Sequence, residues 1–217
     1  MLVLALLLAF FRARAATRPA EPVRSAEAAP EEAAGYARSR DPEPPPERLP
    51  EPALLLSNGV GKNRARQLGV PIYYNWWVDG QRKAYEMEPP ISWPEPLEAN
   101  ATDEVVIDLG TEVMPQTVEI RLYERVDPSG VPPGDPTELL TCESAWGDNR
   151  GGPCAMTRRR DPRDGHRQLV LPARSWHGKR HLAVWAAWPA LPETFAEPSG
   201  PPVVYTAAWL FSLAVDL

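Results

Sequence analysis

Apolar and polar residues alternate along most of the chain after residue 70, and no stripe with the 3.6-residue period of a helix interrupts them. This period of two predicts β-strands, because successive side chains of a strand point to opposite faces. In residues 117–126, the alternation predicts that Val118, Ile120 and Leu122 face a core. The C-terminal stretch is the clearest case, since alternate residues give one wholly apolar face: Val203, Tyr205, Ala207, Trp209, Phe211, Leu213 and Val215.

Turn signals separate these strands. Asp79-Gly80 predicts a tight hairpin turn between residues 72–78 and 81–87. The basic segment 58–69 is predicted to be a turn that precedes the aromatic strand. The pattern predicts further strands at residues 52–56, 104–109, 138–144, 167–172 and 180–188. Seven or eight short strands with Pro/Gly turns and no intervening helices predict an all-β fold, an antiparallel immunoglobulin-like β-sandwich.

Composition distinguishes two segments that precede the predicted strands. Residues 1–15 contain the apolar run 2–11 followed by Ala13-Arg14-Ala15, which is typical of a cleaved signal peptide. The run is too short to cross a bilayer as a helix, which needs about 20 residues. Residues 16–52 are rich in Pro, Ala, Glu and Arg, so we expect a disordered Pro-rich tether. Residues 53–217 are then the β-sandwich domain.

The chain has two cysteines, Cys142 and Cys154, separated by a turn-rich segment. In an exported protein a close pair of this kind predicts one disulfide. Together with the signal peptide, this favours an extracytoplasmic location, secreted or associated with the cell surface. No membrane span is expected in the mature chain.

The order of elements resembles the small secreted or lipid-anchored β-sandwich domains of Gram-positive bacteria that have no assigned function. The resemblance covers residues 53–217 and rests on spaced features: the tether, a Pro-Ala-Leu-Leu-Leu strand, Gly69 with Tyr74-x-Trp76, the crossing EPPISWPEP, Asp108-Leu109, the strand VEIRLYE, a strand ending in Trp188 and a terminal strand led by Tyr205. The chain departs from that group because it lacks a lipid-anchoring cysteine and has a long excursion at residues 127–166. The resemblance implies a bacterial, extracytoplasmic sandwich and carries over no catalytic residue.

Aromatic residues supply the candidate binding surface. The chain contains eight tryptophans, more than the one or two that a sandwich core of this size usually holds. If Tyr74, Trp76 and Val78 face the core, then Tyr73 and Trp77 face outward, and Trp185 faces outward from its own strand. Exposed rings can stack on sugars or contact a protein. The alternative is that proline-rich loops, among them EPPISWPEP, cover these rings.

A basic cluster interrupts the acidic background. The net charge of −6 gives no reason to expect a nucleic-acid partner. The arginines of residues 158–167 are expected to form a solvated hairpin tip, partly neutralised by Asp161 and Asp164, although they could contact an anionic envelope polymer. They are Arg158, Arg159, Arg160, Arg163 and Arg167.

Catalytic and metal motifs are weak. His177 and His181 would lie about 13 Å apart on one strand face, too far for one metal ion. Ser175 and His177 can be combined with an aspartate into a nucleophile set, but no G-x-S-x-G elbow supports it. We therefore predict no catalytic residue, no metal and no cofactor.

Three functions remain open at this point. The preferred one is a non-enzymatic interaction or structural role at the bacterial cell surface, with envelope polysaccharide or another surface protein as the partner. The second is a carbohydrate-binding module that uses Tyr73, Trp77 and Trp185. The third is a small extracytoplasmic hydrolase, which would need a cleft where a histidine meets a carboxylate or hydroxyl.

Overall fold

The computed structural model describes residues 44–57, 63–79, 81–143, 153–189 and 204–216. The predicted signal peptide, the predicted tether up to residue 43, and Trp146 lie outside the described residues. Within them the chain forms one short helix, α1 (Ala173–Trp176), and the strands β1 (Ala53–Ser57), β2 (Asn63–Leu68), β3 (Val70–Val78), β4 (Gln81–Glu86), β5 (Leu97–Asn100), β6 (Glu104–Asp108), β7 (Thr117–Tyr123), β8 (Glu138–Glu143), β9 (Thr157–Arg160), β10 (Arg167–Val170), β11 (His181–Pro189) and β12 (Val204–Asp216).

The strands form two sheets. The smaller sheet has the order β2-β1-β6-β10-β9, and the larger has the order β4-β3-β12-β11-β7-β8. Strand β5 joins the larger sheet by pairing in parallel with the end of β12, while the pairs along both orders are antiparallel. The predicted antiparallel β-sandwich is therefore confirmed. The chain passes back and forth between the sheets, as Greek-key sandwiches do.

The core lies between the inward faces of the two sheets. Four tryptophans are buried in it: Trp76, Trp176, Trp188 and Trp209. The ring of Trp76 meets Trp188 and Tyr205 edge-on, with centroid distances of 5.2 and 5.1 Å. Edge-to-face contacts of this kind add roughly 0.5–1.5 kcal/mol to the burial of the rings. The core thus accounts for half of the eight tryptophans.

The strand faces predicted from alternation are confirmed. Val118, Ile120 and Leu122 are fully buried on β7, and the apolar face of β12 joins the same cluster through Tyr205, Trp209 and their neighbours. The opposite face of β12 is also buried, since Ala208 and Leu210 are almost fully inaccessible. The predicted pattern therefore identifies the inward face of β12 correctly. Other parts of the chain cover the outward face of β12.

The number of strands exceeds the seven or eight predicted. Residues 63–68, which we expected to form a turn, are strand β2 and pair with β1 from Ala53↔Leu68 to Ser57↔Asn63. The prediction was wrong here because an edge strand gains its backbone hydrogen bonds from its neighbour and does not need an apolar face. Strands β5 and β9 were also missed: β9 is likewise an edge strand, whereas β5 has only four residues and pairs with the end of β12.

The residues just before β1 lie against the sandwich. Leu49 packs on the core, and the Gly69 amide donates a 2.9 Å hydrogen bond to the Pro52 carbonyl oxygen. In the part of the chain that the structure describes, no helix has the length and apolar character needed to cross a membrane.

Candidate functional site

The outward face of the larger sheet brings two of the three predicted aromatic residues, Tyr73 and Trp185, into one row. In the strand register, Tyr73 on β3 lies opposite Ala208 on β12, and Ala208 lies opposite Trp185 on β11. Trp185 in turn lies opposite Glu119 on β7. Directly opposed residues in antiparallel strands share a face, and the small Ala208 leaves room above it. Tyr73 and Trp185 therefore approach each other across an intervening strand.

Tyr73 and Trp185 form a ring pair with charged neighbours. Their centroids lie 5.6 Å apart with the ring planes tilted by 32°, and both side chains are partly buried. The guanidinium carbon of Arg121 lies 5.3 Å from the centroid of the Trp185 ring, which is within the range of a cation–π contact. An ion pair of 3.1 Å between Arg121 Nη2 and Glu119 Oε2 fixes the guanidinium. The result is an aromatic platform with donors and acceptors at its edge.

A segment between β4 and β5 covers the adjoining part of this face. We name residues 87–96 the strap. Ile91 and Trp93 of the strap pack on a second apolar cluster formed by Tyr123, Ala183 and Leu210. Trp93 also meets His181 edge-on at a centroid distance of 4.8 Å. The proline-rich EPPISWPEP segment thus covers part of the outward face, as the alternative to an open platform predicted.

Trp77 lies apart from the ring pair. It stands four residues beyond Tyr73 on β3, a distance of about 13 Å along a strand. Its side chain is partly buried, packs against the main core and lies opposite Arg82 on β4. The structure therefore brings together two of the three predicted surface aromatics, Tyr73 and Trp185, in direct contact.

Burial perturbs two ionisable groups beside the strap. Burial raises the pKa of the Tyr123 hydroxyl, and the nearby Arg121 opposes this change. Burial, followed by the positive charge of Arg180, lowers the pKa of His181. Both groups are therefore neutral near pH 7.

A pocket opens beside Tyr123 at the end of β7 and is lined by Tyr123, Glu124, Arg125, Pro133, Asp135 and Thr137.

The predicted basic cluster forms the β9–β10 hairpin of the smaller sheet. Arg159 donates to Glu104 Oε2 at 2.7 Å and to Gln168 Oε1 at 2.8 Å, and Arg167 Nε donates to the Glu112 carbonyl at 2.8 Å. Arg160 and Arg163 are exposed. The arginines thus divide between internal contacts, which the prediction of a solvated hairpin tip did not include, and solvent. They lie on the opposite sheet from the aromatic platform.

The predicted disulfide is present. Cys142 on β8 is bonded to Cys154, with an S–S distance of 2.03 Å, and the two residues also form an isolated antiparallel bridge. Cys142 is completely buried in the main core. The bond closes the loop between β8 and β9 at its base and anchors it to the edge of the larger sheet.

The residues considered for catalysis or metal binding are Ser175, His177 and His181. Each contacts a neighbouring side chain of the fold. Ser175 is 1 % exposed, and its hydroxyl lies 2.5 Å from Glu138 Oε1. The His177 ring stacks on Trp176 at a centroid distance of 4.4 Å, whereas His181 packs on Trp93. His177 and His181 therefore each contact a tryptophan, and the Ser175 hydroxyl is bonded to a glutamate.

Several residues of these sites were not singled out from the sequence. Glu119 and Arg121 alternate with the residues of β7 that were predicted to face the core, but only the register of β7 with β11 places them at Trp185. Asp108 lies far in the chain from Asp164 and His166, yet the ligand atoms of all three residues lie within 4.8 Å of one another. The acidic and histidine residues of DPRDGH, next to the basic cluster, were the available sequence signal.

Comparison with known proteins found no match of the chain to a protein-family model, to a curated protein or to a solved structure.

Proposed function

We propose that this chain is an exported β-sandwich domain of a bacterial cell surface, and that it acts by binding a partner protein, without catalysis. The contact surface is the aromatic platform of Tyr73 and Trp185 with Arg121 and Glu119 at its edge. The observation that carries this proposal is the 5.6 Å ring pair, which is partly exposed beside the part of the face that the strap covers.

The composition of the platform supports a protein partner. Tyr, Trp and Arg are enriched among the residues that carry most of the energy at protein interfaces. Arg121 is held by its ion pair with Glu119 and by the Trp185 ring, so little side-chain entropy is lost when a partner contacts it. The rings touch each other, so they present a single contact surface.

The disulfide supports the location. Disulfides persist in oxidising compartments and are rare in the cytosol. The Cys142–Cys154 bond closes a loop whose base lies in the core, which favours a chain that folds after export. The apolar run 2–11 and the A-x-A sequence that follows it are the corresponding targeting signal.

A carbohydrate is the second candidate for the same surface. A sugar ring can stack on an indole face while Arg121 and Glu119 bind its hydroxyl groups. Because the two ring centroids lie 5.6 Å apart, both rings would contact the same short stretch of a saccharide.

The test compares ligand retention by wild type with that of Tyr73→Ala and Trp185→Ala. Tyr85→Ala is the matched control, because Tyr85 is 39 % exposed and stacks on Tyr74 at 5.4 Å, away from the platform. Cell-envelope extracts and a polysaccharide panel are passed over each immobilised variant. We expect one envelope protein to be retained by wild type and by Tyr85→Ala, and lost with both platform variants.

Each outcome decides between the candidates. If wild type retains a polysaccharide and Trp185→Ala does not, the partner is a carbohydrate and not a protein. Equal retention by wild type and Trp185→Ala contradicts the proposed surface. Thermal unfolding of each variant establishes that loss of binding is not loss of fold.

A further inference from the structure

A histidine and two aspartates converge at the base of the β9–β10 hairpin, on the sheet opposite the aromatic platform. His166 Nδ1 lies 3.2 Å from Asp108 Oδ1 and 3.4 Å from Asp164 Oδ2. All three ligand atoms lie within 4.8 Å of one another. Asp108 is the last residue of β6, while Asp164 and His166 belong to the turn that leads into β10.

The backbone conformation at Gly165 places the turn before β10 next to Asp108. Gly165 has a φ of +78°, a conformation that residues with a side chain rarely adopt. A Cβ at this position would also lie 3.2 Å from the carboxyl carbon of Glu112. Glycine therefore allows the chain to turn between Asp164 and His166, so that both side chains reach the end of β6.

Hydrogen bonds orient both carboxylates. Asp108 Oδ1 accepts from the Gly110 amide at 2.8 Å, and Asp108 Oδ2 accepts from Gln168 Nε2 at 3.3 Å. Asp164 Oδ1 accepts from the His166 amide at 2.9 Å, which leaves Oδ2 facing the imidazole. Partners of this kind fix the ligands in the metal sites of proteins.

The cluster has a deficit of positive charge. The Asp108 side chain is only 12 % exposed, and within the described part of the chain the ion pairs of Asp108 and Asp164 are with His166 alone. Two arginines of the hairpin have other contacts, since Arg159 binds Glu104 and Gln168 and Arg167 Nε donates to the Glu112 carbonyl oxygen. A bound cation would therefore stabilise this largely buried carboxylate beside the second one.

We propose that Asp108, Asp164 and His166 bind a divalent metal ion of the zinc type. One imidazole nitrogen and two carboxylate oxygens suit Zn²⁺, whose bonds of about 2.0–2.2 Å place tetrahedral ligand atoms roughly 3.4 Å apart. The two distances from His166 Nδ1, 3.2 and 3.4 Å, match that spacing. His166 and Asp164 are 33 % and 47 % exposed, so the ion can enter from solvent and keep a water ligand. The ion ties the hairpin to the end of β6.

The test is calorimetric titration of the tag-free full chain with Zn²⁺, together with thermal unfolding. Asp164→Asn removes a charged ligand but keeps an oxygen that accepts the His166 amide, so the turn is preserved. His166→Ala removes the nitrogen ligand. His177→Ala is the control, because His177 stacks on Trp176 and lies outside the cluster.

We expect saturable 1:1 binding and a higher melting temperature for wild type and for His177→Ala. Affinity should fall at least about tenfold in Asp164→Asn and in His166→Ala, since loss of even an outer-shell partner costs roughly 10–100-fold. Mg²⁺ should bind more weakly than Zn²⁺ because it prefers oxygen ligands. Absence of Zn²⁺ binding, or equal affinity in wild type and Asp164→Asn, overturns the proposal. If His166→Ala fails to fold, Asp164→Asn alone decides.

Discussion

The indole nitrogen of Trp93 donates a 2.8 Å hydrogen bond to the carbonyl oxygen of Gly130. Beside it, the Ile91 amide donates to the Ser129 carbonyl, also at 2.8 Å. These two bonds fasten the strap to the turn at residues 127–131. The cover over the outward face of the larger sheet therefore depends on a turn that follows β7, and several consequences can be measured.

Replacing Gly130 should release this contact. Gly130 has a φ of +76°, and an added Cβ would lie 2.0 Å from the Ile91 carbonyl oxygen. Gly178 is the matched control, because its φ is +72° but nothing lies within 4 Å of the added atom. Gly178→Ala should cost about 1–2 kcal/mol for the backbone conformation alone. Gly130→Ala should cost more than about 3 kcal/mol in urea unfolding. Equal losses would show that the close approach is not maintained.

Acid should weaken the same turn through Asp127. The Ser129 hydroxyl, followed by the Val131 amide, holds the pKa of the Asp127 carboxyl below its ordinary value of 3.8. A lowered folded-state pKa means that the ionised carboxylate stabilises the turn above pH 3.8, and that this effect is lost as the pH falls through the folded-state pKa. The NMR titration midpoint of Asp127 should lie below 3.8, and the Ser129 amide should shift with it. A midpoint at or above 3.8 would contradict the hydrogen-bonded turn.

Mild acid should destabilise the protein through His181. Burial and the nearby Arg180 lower its pKa below the ordinary 6.5, and its Nδ1 atom is buried without a hydrogen-bond partner among the described residues. The unfolded chain therefore binds a proton at a higher pH than the folded one, so the free energy of unfolding falls as the pH drops below 6.5. His181→Phe keeps a ring against Trp93 and should flatten this part of the pH profile. An unchanged profile, compared with His177→Phe, would exclude His181 as its source.

Removing the disulfide should cost roughly 3 kcal/mol, because the unfolded chain gains the freedom of the released loop. Cys142→Ser with Cys154→Ser tests this in urea unfolding, with reducing agent as the second measurement. Wild type should lose stability on reduction, whereas the double variant should not respond. A response of the double variant would point to an effect unrelated to the Cys142–Cys154 bond.

The adjacent tryptophans of β3 should differ in their contribution to stability. Trp76 is 1 % exposed between Trp188 and Tyr205, so Trp76→Ala should cost about 3–5 kcal/mol. Trp77 is only partly buried, and Trp77→Ala should cost clearly less. Chemical unfolding of the two variants checks the difference. Similar losses would mean that Trp77 contributes to the core as much as its neighbour does.

The alternation of apolar and polar residues was sufficient to predict which residues of these strands face the core. The alternation around Ile120 and along β12 identified buried positions correctly, because one buried face leaves a period of two in the sequence. The Cys142–Cys154 bond was predictable from the spacing of the two cysteines together with the expectation that the chain is exported. By contrast, β2 has no such alternation, since an edge strand depends on pairing with β1.

The sequence by itself determined a β-sandwich with Val118, Ile120, Leu122 and Trp76 in its core, since hydrophobic burial leaves a periodic record along each strand. Only the tertiary structure decided which outward residues meet. The register of β3, β12 and β11 joins Tyr73 to Trp185, and the turn at Gly165 carries His166 to Asp108. The physical reason is that a period of two gives the face of each side chain, whereas cross-strand neighbours follow from pairing between segments distant in the chain.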